Sequence, residues 1–155
     1  MNLRRSGGKR RRGSALVEAA LVLPWVLLFL LGIMEYGRYL MTLHLFTNAV
    51  TMGAAYAAKH TDSIYLNGSS YGNANSNVTT IVSNALAGQT LSGQAINVFE
   101  SDALGNNVGT WTSAQAGQYV CVQITGTYQF MVPKLLGLPS TITPTFQCVR
   151  LSEGN

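Results

Sequence analysis

Charge is scarce in this chain and badly distributed. Lys and Arg number ten and Asp and Glu six among 155 residues. Between Ser14 and Met34 the only charged side chain is Glu18. Cysteine is limited to Cys121 and Cys148, proline to four positions, and histidine to His44 and His60. Each shortage excludes something. Two histidines sixteen residues apart, with no third ligand in view, do not describe a metal site. Asp62, Glu100 and Asp102 are too scattered for a calcium loop. No nucleophile, base and orienting group occur at a readable spacing, and no glycine-rich phosphate loop is present. The sequence therefore predicts no enzyme and no cofactor. It also contains no internal repeat.

The basic residues that do occur are concentrated at the start. Arg4, Arg5, Lys9, Arg10, Arg11 and Arg12 are six of the ten, so the net charge of +4 comes from the first thirteen residues and the body is mildly acidic. A basic chain invites a nucleic-acid reading. No aromatic residues interleave with these arginines as a stacking surface requires, and the run abuts an apolar helix. Lys and Arg beside such a helix fix the cytoplasmic side. Residues 1–13 are expected to be a disordered cytoplasmic leader and the rest to lie outside, with no nucleic-acid partner.

Ser14 to Met34 is long enough to cross a hydrocarbon core of ~30 Å at 1.5 Å per residue. It is too long for the apolar region of a cleaved secretory signal. The twin arginines Arg4-Arg5 lack the rest of a twin-arginine signal. Helix propensity continues to Lys59, interrupted only by Pro24, which membrane helices tolerate. Past Met34 the pattern becomes amphipathic, with Leu40, Leu43, Phe46, Val50, Ala54 and Ala57 at three- and four-residue steps. Ala49, Gly53 and Ala57 form a row of small residues that lets another element approach closely. The domain plan is a leader at 1–13, a long helix at 14–59 with its membrane part at about 14–35, and an outer domain at 60–155.

Thr61 to Asn77 reads as a loop. Val78, Ile81, Val82, Ala85 and Leu86 then share one face of a short helix that Gly88 stops. Strands follow at Ala95–Phe99, at Gly109–Thr112, and most strongly at Tyr119–Phe130. Ser140 to Leu151 is the return strand, with Pro144 marking an irregularity. A hairpin that pairs Cys121 with Cys148 also pairs Val120 with Val149 and Tyr128 with Thr141. Outside the membrane a Cys121–Cys148 disulfide is the expectation, and two free buried thiols are the alternative. Asn67-Gly68-Ser69 and Asn77-Val78-Thr79 fit the N-glycosylation pattern.

Two groups of residues remain. Gly13 follows the basic run, and Glu18 stands five residues beyond it inside an apolar segment. A lone carboxylate near the middle of a span costs about 2–3 kcal/mol and less toward its ends. A basic leader, a glycine and a glutamate at that spacing form the pattern of a prepilin processing site, cut between Gly13 and Ser14. Glu18 by itself reads equally well as an incidental carboxylate snorkelling to water. Glu35 and Arg38, three apart on one helix face, can pair. They read as an interface anchor beside Tyr36 and Tyr39.

The stretch Arg11-Arg12-Gly13-Ser14-Ala15-Leu16-Val17-Glu18-Ala19-Ala20-Leu21-Val22-Leu23-Pro24, with Leu31-Gly32-Ile33-Met34-Glu35-Tyr36-Gly37, resembles the TadE family. These are minor pseudopilins of tight-adherence (Flp, type IVc) pilus systems. The sibling TadF and TadG families share the same helix. The resemblance covers about residues 11–58. Ala19 stands where major Flp pilins carry Tyr or Phe. The resemblance implies an α+β, pilin-like fold and a role in pilus assembly rather than catalysis. It implies cutting by a prepilin peptidase at Gly13 and Ser14, with Glu18 as the assembly residue. The implied partners are that peptidase, other pilin subunits, the Tad secretion machinery and the inner membrane. The competing reading is an uncleaved, signal-anchored periplasmic binding domain.

Overall fold

The computed structural model describes residues 10–61 and 74–153, with side chains from residue 13 and, in the second stretch, from residue 77. Most of the leader, Asp62, and the first glycosylation pattern at Asn67 lie outside the described residues. Helix α1 runs without a break from Arg10 to Lys59, through Pro24. Helix α2 spans Ala74–Ala85 and starts four residues earlier than its apolar face indicated. The strands are β1 (Ser92–Ser101), β2 (Asn107–Gly109), β3 (Tyr119–Gln129), β4 (Thr141–Ile142) and β5 (Thr145–Leu151). A short helix α3 occupies Pro133–Leu136 in the connection after β3. The fold is α+β: one long N-terminal helix carrying a small antiparallel sheet.

Strand β3 is the centre of that sheet. It pairs antiparallel with β1 on one side and with β5 and β4 on the other. Side chains alternate across a strand, so β3 offers Val120, Val122, Ile124 and Tyr128 to one face, all buried. In register with them, Ile96 and Phe146 flank Ile124, and Val98 and Cys148 flank Val122. This inner face closes on α1 through Phe46, Ala49, Val50, Ala54 and Ala57, all essentially inaccessible to water. The rings of Phe46 and Phe146 lie 5.1 Å apart. Burying such side chains contributes about 1.5–3 kcal/mol each for the larger ones, which anchors the sheet to the helix.

The row of small residues on α1 permits the close approach that its spacing predicts. At Gly53 a Cβ atom would lie 2.5 Å from Cγ2 of Val82 on α2 and 3.4 Å from Cγ1 of Val122 on β3. Helix α2 presents Val78 and Val82 to this contact, both buried, and Leu86 just past its end is buried as well. The helix ends where Ala87 and Gly88 turn into the left-handed region, at φ of 48° and 83°. Gly126 has a matching role on the sheet: a Cβ there would meet Leu91 at 2.6 Å. The C-terminal end is fastened back onto α1. Glu153 N–H donates to the Ala58 carbonyl at 2.9 Å, and the Thr61 and Ser152 hydroxyls lie 2.5 Å apart.

Three expectations need correction. The segment expected as a strand at Gly109–Thr112 divides: β2 ends at Gly109, and Trp111–Ser113 forms a 3₁₀ turn that buries the Trp111 ring. The return strand divides at Thr143-Pro144 into β4 and β5, because proline removes a ladder donor. The hairpin register is shifted by one residue. Cys121 faces Val149, Val122 faces Cys148, and Tyr128 faces Ile142. A one-residue slip turns every side chain to the opposite face. The expected register would set Gln147 beside Val122 and Thr145 beside Ile124 in the core. The observed one buries Phe146 there and leaves Gln147 exposed, bonded to Gln123 on the outer face at 3.3 Å.

The disulfide expectation fails with that register. Cys121 and Cys148 point to opposite faces of the sheet, and both are free thiols. Burial, with Cys148 as a secondary influence, pushes the Cys121 thiol up to about 11. Very little thiolate exists there at neutral pH, so Cys121 reacts slowly while the domain is folded. Two predictions follow from the packing. Protein denatured without reductant should take up alkylating agent at both cysteines, whereas under native conditions Cys148 should be labelled first; recovery of a cross-linked peptide would contradict this. Gly53→Val should lower the stability of the outer domain by about 1–3 kcal/mol through overpacking, read as a drop in the thermal midpoint.

Candidate assembly site and membrane junction

The predicted site residues fall at two levels of α1. Gly13, Ser14 and Glu18 lie in its first turns with exposed side chains, and nothing stands within 4 Å of the place a Gly13 Cβ would occupy. Among the described residues no ion pair reaches Glu18. From here to about Leu30 the helix is largely bare: Leu16, Leu21, Trp25 and Phe29 are all more than half exposed. The segment Gly13–Lys59 is long and apolar enough to cross a membrane, and none of its most apolar window is buried within the chain. An all-round apolar surface of that kind is satisfied in lipid and penalised in water.

Glu35 and Arg38 lie seventeen and twenty residues beyond Glu18, so Glu35 is about 26 Å farther along the axis at 1.5 Å per residue. The structure does not bring the two carboxylates together. It brings Glu35 to the end of β3 instead. Arg38 Nη2 donates to Glu35 Oε1 at 2.6 Å and to the Gln129 carbonyl at 2.8 Å. The Tyr128 hydroxyl donates to Glu35 Oε1 at 3.4 Å, and Met131 N–H reaches both carboxylate oxygens at 3.4 Å. The Arg38 guanidinium stands 4.9 Å from the centre of the Tyr128 ring, an ordinary cation–π distance. Tyr39 closes the cluster, 5.4 Å edge-on from Tyr128 and 6.3 Å from Phe130.

Glu35 is only 4% exposed. A buried carboxylate persists where it is paired and hydrogen-bonded. Its position three residues before Arg38 is readable in the sequence. Its closure by Tyr128 and Met131, more than ninety residues later, is not. The available signal is the Tyr128-Gln129-Phe130 end of the strongest strand, directly before Pro133. Burial raises the Tyr128 phenol above its ordinary value, with Arg38 opposing and Glu35 adding to the shift. The arrangement holds a charge and ties two distant segments together. Among the described residues no group of three or more His, Cys, Asp or Glu side chains converges as a metal site would.

Arg38→Leu should destabilise the outer domain by about 1–3 kcal/mol, because Glu35 stays buried with weaker donors; the lower figure reflects the 38% exposure of Arg38. Glu35→Leu combined with Arg38→Leu should cost less than Arg38→Leu alone. Urea unfolding followed by circular dichroism measures both, and a double variant weaker than the single one would contradict the pairing.

Comparison with known proteins places the same stretch of helix. No curated protein and no solved structure matches the chain. The family model described as TadE-like protein matches residues 13–55. The match begins at Gly13, runs through the largely exposed apolar half of α1, crosses Glu35 and Arg38, and ends within the face that covers the sheet. Over this segment the chain is similar to TadE-like proteins.

Proposed function

We propose that this is a pilin-like subunit of a tight-adherence pilus system, a pseudopilin cut between Gly13 and Ser14 by a prepilin peptidase and then assembled with other pilin subunits and the Tad machinery. The observation that carries the reading is the combination of Gly13, a largely exposed apolar helix, and one carboxylate, Glu18, five residues past the glycine. Cutting there creates a free α-amine on Ser14, largely protonated at neutral pH. A neighbouring subunit's amine can then meet Glu18 and offset the cost of a carboxylate in lipid, which is smaller near the end of a span than at its middle. Glycine also weakens the first turns of α1 by about 1 kcal/mol relative to alanine, which favours the extended backbone a protease must hold. In this reading the chain is a single-pass inner-membrane protein with residues 1–13 cytoplasmic and the sheet domain periplasmic.

The second reading is an uncleaved signal-anchored binding domain. One observation favours it: Arg10 to Ser14 is helical, not extended. The two differ at the N-terminus. Intact-mass spectrometry of protein from its own host should find a mature chain beginning at Ser14. Gly13→Leu should leave the full-length chain in the membrane. Glu18→Leu should insert and fold normally yet lose co-purification with pilus components. A full-length wild-type mass, together with normal assembly of Glu18→Leu, would replace this reading with the anchored domain.

A further inference from the structure

The connection from β3 to β4 is strongly apolar and only partly covered. Its sequence is Met131-Val132-Pro133-Lys134-Leu135-Leu136-Gly137-Leu138. Met131 is 67% exposed, Leu135 56% and Leu138 41%. Scattered surface leucines need no explanation, but a contiguous apolar patch does. The patch sits at one level of the molecule. Leu136 Cδ2 lies 3.7 Å from the place a Gly32 Cβ would occupy. On one side of α1 a hollow of about 350 Å³ is lined by Gly32, Tyr36, Tyr39, Phe130, Leu136 and Leu138. On the other side a smaller one, about 110 Å³, is lined by Leu31, Met34, Met131 and Val132. The connection thus straddles α1 at residues 31–36.

That level coincides with the end of the span. From Ser14, a hydrocarbon core of ~30 Å is crossed at about Met34. The apolar surface of the connection is therefore continuous with the exposed apolar surface of α1 at Ile33 and Met34. Glu35 lines both hollows, but it is buried and paired with Arg38, so it leaves no free negative charge at the surface of the connection. Lys134 is exposed at the tip, and no Asp or Glu occurs between Asp102 and Glu153. Lysine beside exposed leucines is the composition of a surface lying at the boundary of headgroups and acyl chains. The Glu35–Arg38 pair fastens the start of the connection, through the Gln129 carbonyl and Met131 N–H, to the helix at that depth.

We propose that Met131–Leu138 is a second membrane contact, inserted into the outer headgroup–acyl boundary beside α1, with Lys134 on anionic lipid phosphates. The inference rests on the reading that α1 spans the bilayer from Ser14. A single flexible anchor would leave the sheet domain free to tilt. A second contact at the exit point fixes its orientation on the membrane surface. A neighbouring copy of the chain is the competing occupant of the patch, and it would have to cover Lys134 as well as the leucines.

Brominated lipids test this on the full-length chain in vesicles of phosphatidylcholine and phosphatidylglycerol. Bromine is carried either near the headgroup end of the acyl chain or near its methyl end. Trp25 is a built-in reporter for the middle of the span, and buried Trp111 is a reference in the outer domain. In a W25F background, L135W adds a reporter at an exposed position whose replacement disturbs no packing. The L135W emission should be quenched about twofold more by shallow than by deep bromine, since interfacial elements sit ~5–10 Å into the boundary. Its shallow quenching should fall when phosphatidylglycerol is omitted, and K134E should abolish that dependence. Trp25 in the wild type should be quenched by deep bromine. If Trp25 is quenched and L135W is not, the span stands and the second contact is overturned, whether the patch is open to aqueous iodide or shielded by another copy. If Trp25 is not quenched by either lipid, the span itself is wrong. An unchanged response to phosphatidylglycerol in K134E would remove Lys134 from the contact.

Discussion

The apolar face of α1 from Phe46 to Ala58 is the surface that the rest of the outer domain depends on. The sheet's main core face is covered, among the described residues, by this helix and not by a second sheet. Phe46, Ala49, Val50, Ala54 and Ala57 close over Val120, Val122, Ile124 and Phe146, and Gly53 lets α2 and β3 come close on the same turn. The dependence is mutual. A helix of this composition gains little stability from propensity alone, and its outer half is held by tertiary packing. Its inner half, largely exposed as far as about Leu30, is the part whose apolar surface matches lipid. On the proposed placement one continuous helix faces two solvents, and the boundary between them lies where packing begins.

Glu35 and Arg38 mark that boundary. Up to about Leu30 the side chains of α1 are largely bare; at residues 31–36 the β3–β4 connection reaches them, and beyond Arg38 one face is covered by β3, β5 and α2. A carboxylate at this place is costly unless donors surround it, and the donors come from the end of β3 rather than from α1 alone. The ion pair thus ties the depth of the helix to the position of the sheet. The same junction brings the Met131–Leu138 connection against residues 31–36. The polar knot and the apolar patch occupy the same level of α1, and on the proposed membrane placement that level is where water gives way to hydrocarbon.

Much of this was readable from residue spacing. The three-to-four periodicity from Leu40 to Ala57 gives the buried face, the Ala49-Gly53-Ala57 row gives the close approach, and the alternation of Val120, Val122 and Ile124 gives the central strand. What spacing could not give was register. The two cysteines suggested a pairing that satisfies sulfur, but the pairing that forms satisfies Phe146 and Gln147, since a phenyl ring gains more by burial than an amide. Trp111 was likewise out of reach, because a three-residue turn has no periodicity to read. The partners of Glu35 were hidden by distance along the chain; a local helix pair says nothing about the strand that comes to meet it. Gly13 and Glu18 are the opposite case. They are legible only as a sequence pattern, since among the described residues no ion pair reaches Glu18 and nothing packs on Gly13.

Hydrogen exchange on the full-length protein in lipid nanodiscs, measured along α1 in rising urea, tests the division of this helix most directly. Amides from about Leu16 to Leu31 should remain protected by the bilayer when the outer domain unfolds. Amides from Phe46 to Ala58 should lose protection together with those of β3, at the same urea concentration, because they share one core. The change between the two behaviours should fall near Glu35 and Arg38. If all of α1 exchanged as one unit, or if Phe46 to Ala58 kept its protection after β3 had lost its own, the helix would not be shared between membrane and sheet in the way described.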